Sequence, residues 1–353
     1  MDTCSTTKEI LKKRKKIDRG KLIVVILIIL PIVTFIISAT FGRYSITIQD
    51  LITLIMCKIK GVESNLPSNI ETVFFNVRLP RIIAAMLIGA ALSVAGASYQ
   101  GVFKNPMVSP DILGASAGAG FGAALGILFS FNIVGIQIIS FIFGIVAVSL
   151  TYLISSIIGK RSNTILTLIL SGMVISTLFQ SFLSLIKYVA DPTSKLPAIT
   201  FWLMGSLSSI NFKDLILLMF PVVLGVIPLI LLRWKLNVLS FGEEEARSMG
   251  IDTSKIRFIV ILSSTIMVSA VVSVSGMIGW IGLVIPHLSR MLVGPNYKKL
   301  IPTSMVIGSC FLLCVDNLSR SLFSMELPIG ILTSIIGAPF FIYLLMNGKE
   351  GWA

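Results

Sequence analysis

Nine stretches of about twenty mainly apolar residues divide this chain, near 22–41, 82–101, 112–130, 136–157, 164–186, 214–232, 258–276, 301–319 and 328–346. That is the length a helix needs to cross a hydrocarbon core. A tenth apolar piece, Gly279 to Met291, is short and interrupted by Pro286, so it is either a broken span or a re-entrant segment buried in protein. Of the 353 residues, 55% are hydrophobic and 13% charged, against roughly 25% charged in soluble domains. The chain therefore reads as an all-α, polytopic membrane protein with about ten transmembrane helices.

The net charge of +13 raises nucleic acid as a partner, but its distribution argues otherwise. With ten spans and both termini in the cytoplasm, 20 of the 29 Lys and Arg fall on the cytoplasmic side, in residues 1–21 and around 104, 160, 233–257, 290–299 and 349. Nine spans would put the basic 233–257 and 290–299 loops on opposite sides. Ten spans fit the positive-inside bias, and no nucleic-acid partner is expected. The division that follows is a basic cytoplasmic tail over 1–21, a transmembrane unit over 22–346 with a cytoplasmic loop at 236–257, and a cytoplasmic tail over 347–353. The basic cluster before Leu22 resembles the start of a secretory signal, but the apolar run after it exceeds the usual 7–15 residues and reads as an uncleaved first span.

Gly114, Gly118, Gly122 and Gly126 recur at every fourth position. On a helix they form one bare stripe, which in lipid allows a neighbouring backbone to approach closely. Asn105, Pro106 and Pro110 precede the stripe as a break, and Pro286 marks a second. The segments SVAGAS (93–98) and SVSGMIG (273–279) each end an apolar helix before such a break, and the topology inverts them. This is the repeat pattern of many transporters. The piece from Ile46 to Ile59 is amphipathic and suited to lie on a membrane surface.

Catalytic constellations are missing. His287 is the single histidine, no Cys-His or Ser-His-Asp set can be assembled, and there is no G-x-x-x-x-G-K-[ST] phosphate loop. Cys4, Cys57, Cys310 and Cys314 have no metal-ligand or disulfide spacing. No catalytic residue, no metal site and no cofactor bound by this chain are expected. Acidic residues are scarce in the spans, only Asp316 approaching mid-depth, which speaks against an ion-driven carrier with internal relays.

LSFGEEEARSMGID reads as a short helix, with Ser240 as N-cap, Glu243 in capping-box position, acidic residues in the first turn and Gly250 as the stop. It is either a rigid lever on the cytoplasmic face or a solvated loop of mixed charge. Arg78, Arg81 and Arg320 lie near the outer ends of their spans, where arginines either snorkel to headgroups or form a basic rim for carboxylates of a docking protein.

Taken in order, RLPR (78–81), GASYQGVFKNPMVSPDILGASAGAG (96–120), WLMGSL (202–207), FGEEEARSMGI (241–251), SGMIGWIGLVIPHLSR (275–290) and ELPIGILTSIIGAPFFIYLL (326–345) resemble the FecCD family. These are the membrane subunits of ABC importers for ferric siderophores, haem and cobalamin. Phe241 and Met107 stand where family members often carry leucine. The resemblance implies a type II importer permease with an inverted repeat in the bacterial cytoplasmic membrane, forming a homodimer or a heterodimer with a related permease. Two cytoplasmic ATPase subunits holding ATP-Mg are its partners, with an extracytoplasmic substrate-binding protein and a metal-chelate substrate. It implies an ATPase-coupling role for Gly242, Glu243, Glu244, Ala246, Arg247 and Gly250. It implies docking of the binding protein at Arg78, Arg81 and Arg320, and packing of pathway helices at Asn105, Pro106, Pro110, Gly114, Gly118, Gly122, Gly126 and Pro286.

Overall fold

The computed structural model describes residues 3–42, 44–62, 66–159 and 164–347, with side chains from Leu22 to Met346 apart from those of Thr164, Leu344 and Leu345. Of the expected cytoplasmic tails, residues 1–2 and 348–353 lie outside the described residues, as do Lys160 and Arg161. Every regular element among the described residues is helical. They are α1 (Thr3–Thr40), α2 (Ile48–Lys60), α3 (Ser68–Thr72), α4 (Leu79–Phe103), α5 (Ala115–Leu128), α6 (Ile133–Ile158), α7 (Thr164–Val189), α8 (Lys195–Leu203), α9 (Phe212–Phe241), α10 (Glu243–Ser248), α11 (Thr253–Ser275), α12 (Ile281–Val293), α13 (Tyr297–Ser321) and α14 (Ile329–Asn347). Among the described residues, seven apolar helices are long enough to span a membrane and three more, α5, α12 and α14, are shorter. Together they account for the ten expected segments.

The third and eighth segments are shorter than a full span. At 1.5 Å per residue, the 14 residues of α5 and the 13 of α12 reach only about 20 Å. Backbone outside the α-helices precedes each, from Lys104 to Gly114 before α5, with a 3-10 turn at Pro110–Leu113, and from Gly276 to Trp280 before α12. Such backbone survives in a membrane only when protein surrounds it. Before α4 the helix widens to a π turn over Val73–Arg78. Pro80 has no N–H to offer the preceding turn, which explains the irregularity.

α4 is buried along almost its whole length, and small residues are the reason. A Cβ at Gly89 would lie 2.1 Å from the carbonyl oxygen of Gly308, and one at Gly96 would lie 1.8 Å from that of Gly282. Backbone therefore meets backbone where α4 crosses α13 and α12. Pro286 leaves the carbonyl of Gly282 without its usual i+4 donor, and Gly96 packs against that oxygen.

The packing repeats. α5 packs on α6 and α7 as α12 packs on α13 and α14, while α4 packs on α13 and α12 as α11 packs on α6 and α5. α6 and α13 begin alike, Asn132 accepting from the N–H of Gly135 and Asn296 from that of Lys298. α9 joins the halves and packs against both α4 and α11. The two halves thus exchange packing partners.

The glycine stripe is corrected in one member. Gly114 is the N-cap of α5, in left-handed backbone with φ +90°, rather than part of the helical stripe. Gly118, Gly122 and Gly126 do form a stripe, against α6. A Cβ would fall 2.4 Å from Phe143 O, 2.7 Å from Ile139 O and 3.2 Å from Ile136 Cα respectively.

Candidate functional site

Two groups of ion-paired residues lie at opposite ends of the bundle. At the end where α1 and α13 finish and α4 starts, Arg81 presents Nε and Nη2 to Asp316, at 2.9 and 2.8 Å. Its Nη1 meets both oxygens of Glu326 at 3.0 and 3.1 Å. Arg320 approaches the other oxygen of Asp316 at 3.2 Å and donates through Nη2 to Ser38 Oγ at 2.9 Å and to Asn317 Oδ1. Arg78 takes a different role: its Nη1 donates to Ala39 O at 2.6 Å and its Nη2 to Tyr44 O at 2.7 Å. It closes the C-terminal turn of α1, whose last carbonyls have no helical donors.

All three arginines come together, as the sequence suggested, but as a buried cluster. Arg78 and Arg81 are 4% exposed and Arg320 is 8% exposed. Two guanidiniums are balanced by two carboxylates, which leaves Arg78 as the excess positive charge. A recess of about 360 Å³ opens beside Arg320, lined by Phe41, Gly42, Ser321, Phe323 and Ser324. The sequence reading noted Asp316 and missed Glu326, Ser38 and Asn317. The i, i+4 spacing of Asp316 and Arg320 was the available signal.

At the opposite end, the cytoplasmic loop expected over 236–257 shrinks to Gly242–Asp252, because α9 continues to Phe241 and α11 starts at Thr253. Ser240 is not an N-cap: it lies inside α9 and donates to Asn237 O. Gly242 takes the N-cap position of α10, without any side-chain cap, so the capping box is absent too. Glu243 instead pairs with Arg257 on α11, a buried guanidinium, and more distantly with Arg247 at 3.9 Å.

The stop at Gly250 does form. Its φ is +75°, its N–H bonds to Arg247 O at 2.9 Å, and the N–H of Ile251 bonds to Ala246 O at 3.0 Å. This pair of bonds is a Schellman ending, and the buried side chains of Ala246 and Ile251 supply its apolar contact. α10 is thus fixed by Ala246 below and Arg257 at the side, while Phe241, Glu244, Glu245, Arg247 and Met249 face outward.

The two ends are joined by rods. Asn237 in the last turns of α9 donates to Asn296 Oδ1 at 3.0 Å and accepts from the N–H of Tyr297 at 2.7 Å. α13 starts there and carries Asp316 and Arg320 at its other end. Beside it, Arg290 donates to Gln100 Oε1 at 2.9 Å, tying α12 to the last turns of α4. Between the halves, Asn105 Oδ1 accepts from the N–H of Met107, and Pro110 opens the short 3-10 turn that abuts Gly282 of α12.

A helical membrane bundle with broken helices in both halves, an ion cluster at one end and a rigid surface helix at the other defines a transport subunit. The chain belongs to the FecCD transport family, whose model matches residues 28–347. It is 42% identical to the molybdate import system permease protein MolB of Haemophilus influenzae, over 92% of this chain and 95% of that one. It is 40% identical to a probable iron chelatin transport system permease protein of Helicobacter pylori, over 80% and 85% of the two chains. Among solved structures, an inward-facing metal-chelate type ABC transporter shares the fold with a TM-score of 0.83 at 40% identity, covering 93% of this chain and 99% of that one.

Proposed function

We propose that this chain is the membrane-spanning subunit of an ATP-driven importer in a bacterial cytoplasmic membrane, with both termini in the cytoplasm. It works as a homodimer or beside a related permease. Two ATPase subunits carrying ATP-Mg dock on the outward face of α10, and a substrate-binding protein docks at the opposite end around Arg78, Arg81 and Arg320. The observation that carries this reading is the construction of α10. A six-residue helix is too short to persist alone, yet this one is held by Ala246, the Glu243–Arg257 pair and a Schellman ending. A segment so braced transmits a push from a partner to α9 and α11.

Transport then needs a change in which end of the route is open, driven by the different contacts the ATPases make with and without ATP. The cargo we favour is a metal chelate, ferric siderophore first, in keeping with the iron chelatin relative and the metal-chelate type neighbour. Molybdate is the second reading, favoured by the relative that matches nearly the whole chain. The test is uptake of labelled ferric siderophores, haem, cobalamin and molybdate by cells with and without this chain, repeated with a protonophore while ATP is maintained. Uptake that depends on this chain and outlasts the proton gradient supports the importer and names the cargo. Uptake that stops with the gradient supports an ion-driven carrier instead.

A further inference from the structure

Three segments that stand apart in the sequence, WLMGSL, SGMIG and ELPIG, meet in one backbone knot. The N–H of Ser206 donates to Ser275 O at 2.9 Å, that of Ile329 to Gly205 O at 2.9 Å and that of Gly330 to Met204 O at 3.1 Å. The end of α8, the break between α11 and α12 and the start of α14 therefore satisfy one another's backbone groups, as irregular backbone within a membrane must. There is no space between them. A Cβ would lie 2.3 Å from Trp202 O at Gly276, 2.8 Å from Met277 O at Gly205, and 2.6 Å from Met204 O at Gly330. None of the three ends can move without the other two.

Glu326 lies three residues before Ile329, so the segment leaving α13 is held at Arg81 on one side and at the knot on the other. Leu327 between them is fixed to α13, its N–H donating to Ser319 O at 3.2 Å and its carbonyl accepting from Ser319 Oγ at 2.5 Å. The two carboxylates on Arg81 differ in access: the side chain of Asp316 is fully buried, whereas that of Glu326 is 30% exposed. With Nε bonded to Asp316 and Nη2 buried beside the same carboxylate, an approaching carboxylate meets Arg81 at Nη1, where Glu326 already sits.

We infer that Glu326 is an internal stand-in for a carboxylate of the docking partner, and that exchange of the two at Arg81 removes one of the two holds that precede the knot on the 326–330 segment, leaving only the Leu327–Ser319 bonds there, and so loosens the knot at the helix breaks. The inference rests on the reading that a binding protein docks at this end. One carboxylate replaces another, so the buried guanidinium stays paired and the exchange avoids the large cost of an unpaired buried charge. Its two states are distinct: Glu326 on Arg81 with the knot held, or the partner's carboxylate on Arg81 with Glu326 in water.

The test uses the full transporter, with its ATPases and binding protein, in lipid nanodiscs. Glu326→Gln removes the charged competitor. We expect tighter docking by about fivefold or more, the lower end of ordinary coupling between sites, together with faster basal ATP hydrolysis without binding protein. Glu326→Asp, with its carboxylate drawn back, should shift both in the same direction by less, and it carries the test if the glutamine variant does not assemble. Unchanged or weaker docking with unchanged basal hydrolysis overturns the inference. Phe323→Cys, exposed at the same end, reports docking separately through cross-linking to the binding protein. A cross-link with no effect at Glu326 leaves the docking reading standing and removes this one; no cross-link from this end removes both.

Discussion

Arg257, one turn into α11, holds the carboxylate of Glu243, the first residue of α10, so the surface helix is tied to a membrane span by a buried guanidinium. Arg247 is nearer in sequence, but it sits 3.9 Å away and is largely exposed. An exposed i, i+4 pair contributes about 0.3–0.5 kcal/mol. Arg257 is the stronger link.

Glu243→Gln leaves Arg257 buried without a carboxylate, a loss on the order of 3 kcal/mol in the seating of α10. Faster amide exchange over residues 243–249 is the expected outcome, with ATP hydrolysis no longer matched by uptake. Arg247→Ala should change neither by much. Equal effects from the two variants would contradict the assignment.

Gly250→Ala tests the Schellman ending. A side chain at 250 meets no atom within 4 Å, so only the backbone at φ +75° opposes it. The cost of left-handed backbone for an L residue is about 1–2 kcal/mol. Thermal unfolding of the purified chain in detergent should show a small decrease, and exchange should rise at 249–251.

The α5 stripe predicts a graded series. Gly118→Ala faces the carbonyl of Phe143 at 2.4 Å, whereas Gly126→Ala faces Ile136 at 3.2 Å. Overpacking of the first kind costs about 1–3 kcal/mol. The melting temperature should drop more for Gly118→Ala than for Gly126→Ala, and a reversed order would show that the α5–α6 contact is not limiting.

Much of the fold was legible because lipid imposes a simple pattern. The ten apolar segments, the shortness of the eighth and the Gly250 stop all follow from local sequence, whereas the break expected at Pro286 lies before it, at Gly276–Trp280, and α12 runs through the proline. The ion cluster does not follow from local sequence either. Arg81 meets Asp316 and Glu326 across 235 and 245 residues, and only the packing of α4 on α13 brings them together. Likewise, Ser240 looked like a cap because helix-starting residues follow it, yet α9 continues past it since Leu236, Val238 and Leu239 remain buried there. Gly114 matched the spacing of the stripe, although its left-handed backbone starts the helix.

Arg81→Ala should damage folding before it damages docking. Glu326 would lose its only ion-pair partner among the described residues and Asp316 would keep Arg320 alone, and breaking a buried pair costs about 3–5 kcal/mol. We expect a poor yield of folded protein, with partial recovery in the double variant Arg81→Met with Glu326→Gln, because Asp316 then keeps Arg320 and no second carboxylate is stranded. Size-exclusion profiles and thermal unfolding in detergent measure both.

Acid should spare the connection between α7 and α8. Asp191 accepts from the hydroxyls of Thr193 and Ser194 and from the N–H groups of both, which brings its carboxyl down to about 2. Its contribution is present above the ordinary aspartate range and is lost only as pH falls through about 2. Amide protection at 193–196 should persist at pH 3 and be lost at neutral pH in Asp191→Ala.

The contact of Gly89 with Gly308 has a geometric corollary. Where two helix backbones touch, no layer of side chains remains that could swing aside, so α4 and α13 form a closed wall. A solute the size of a chelate has no passage between them. The pairing with a second subunit proposed above offers a route elsewhere, along an outer flank that two subunits would share.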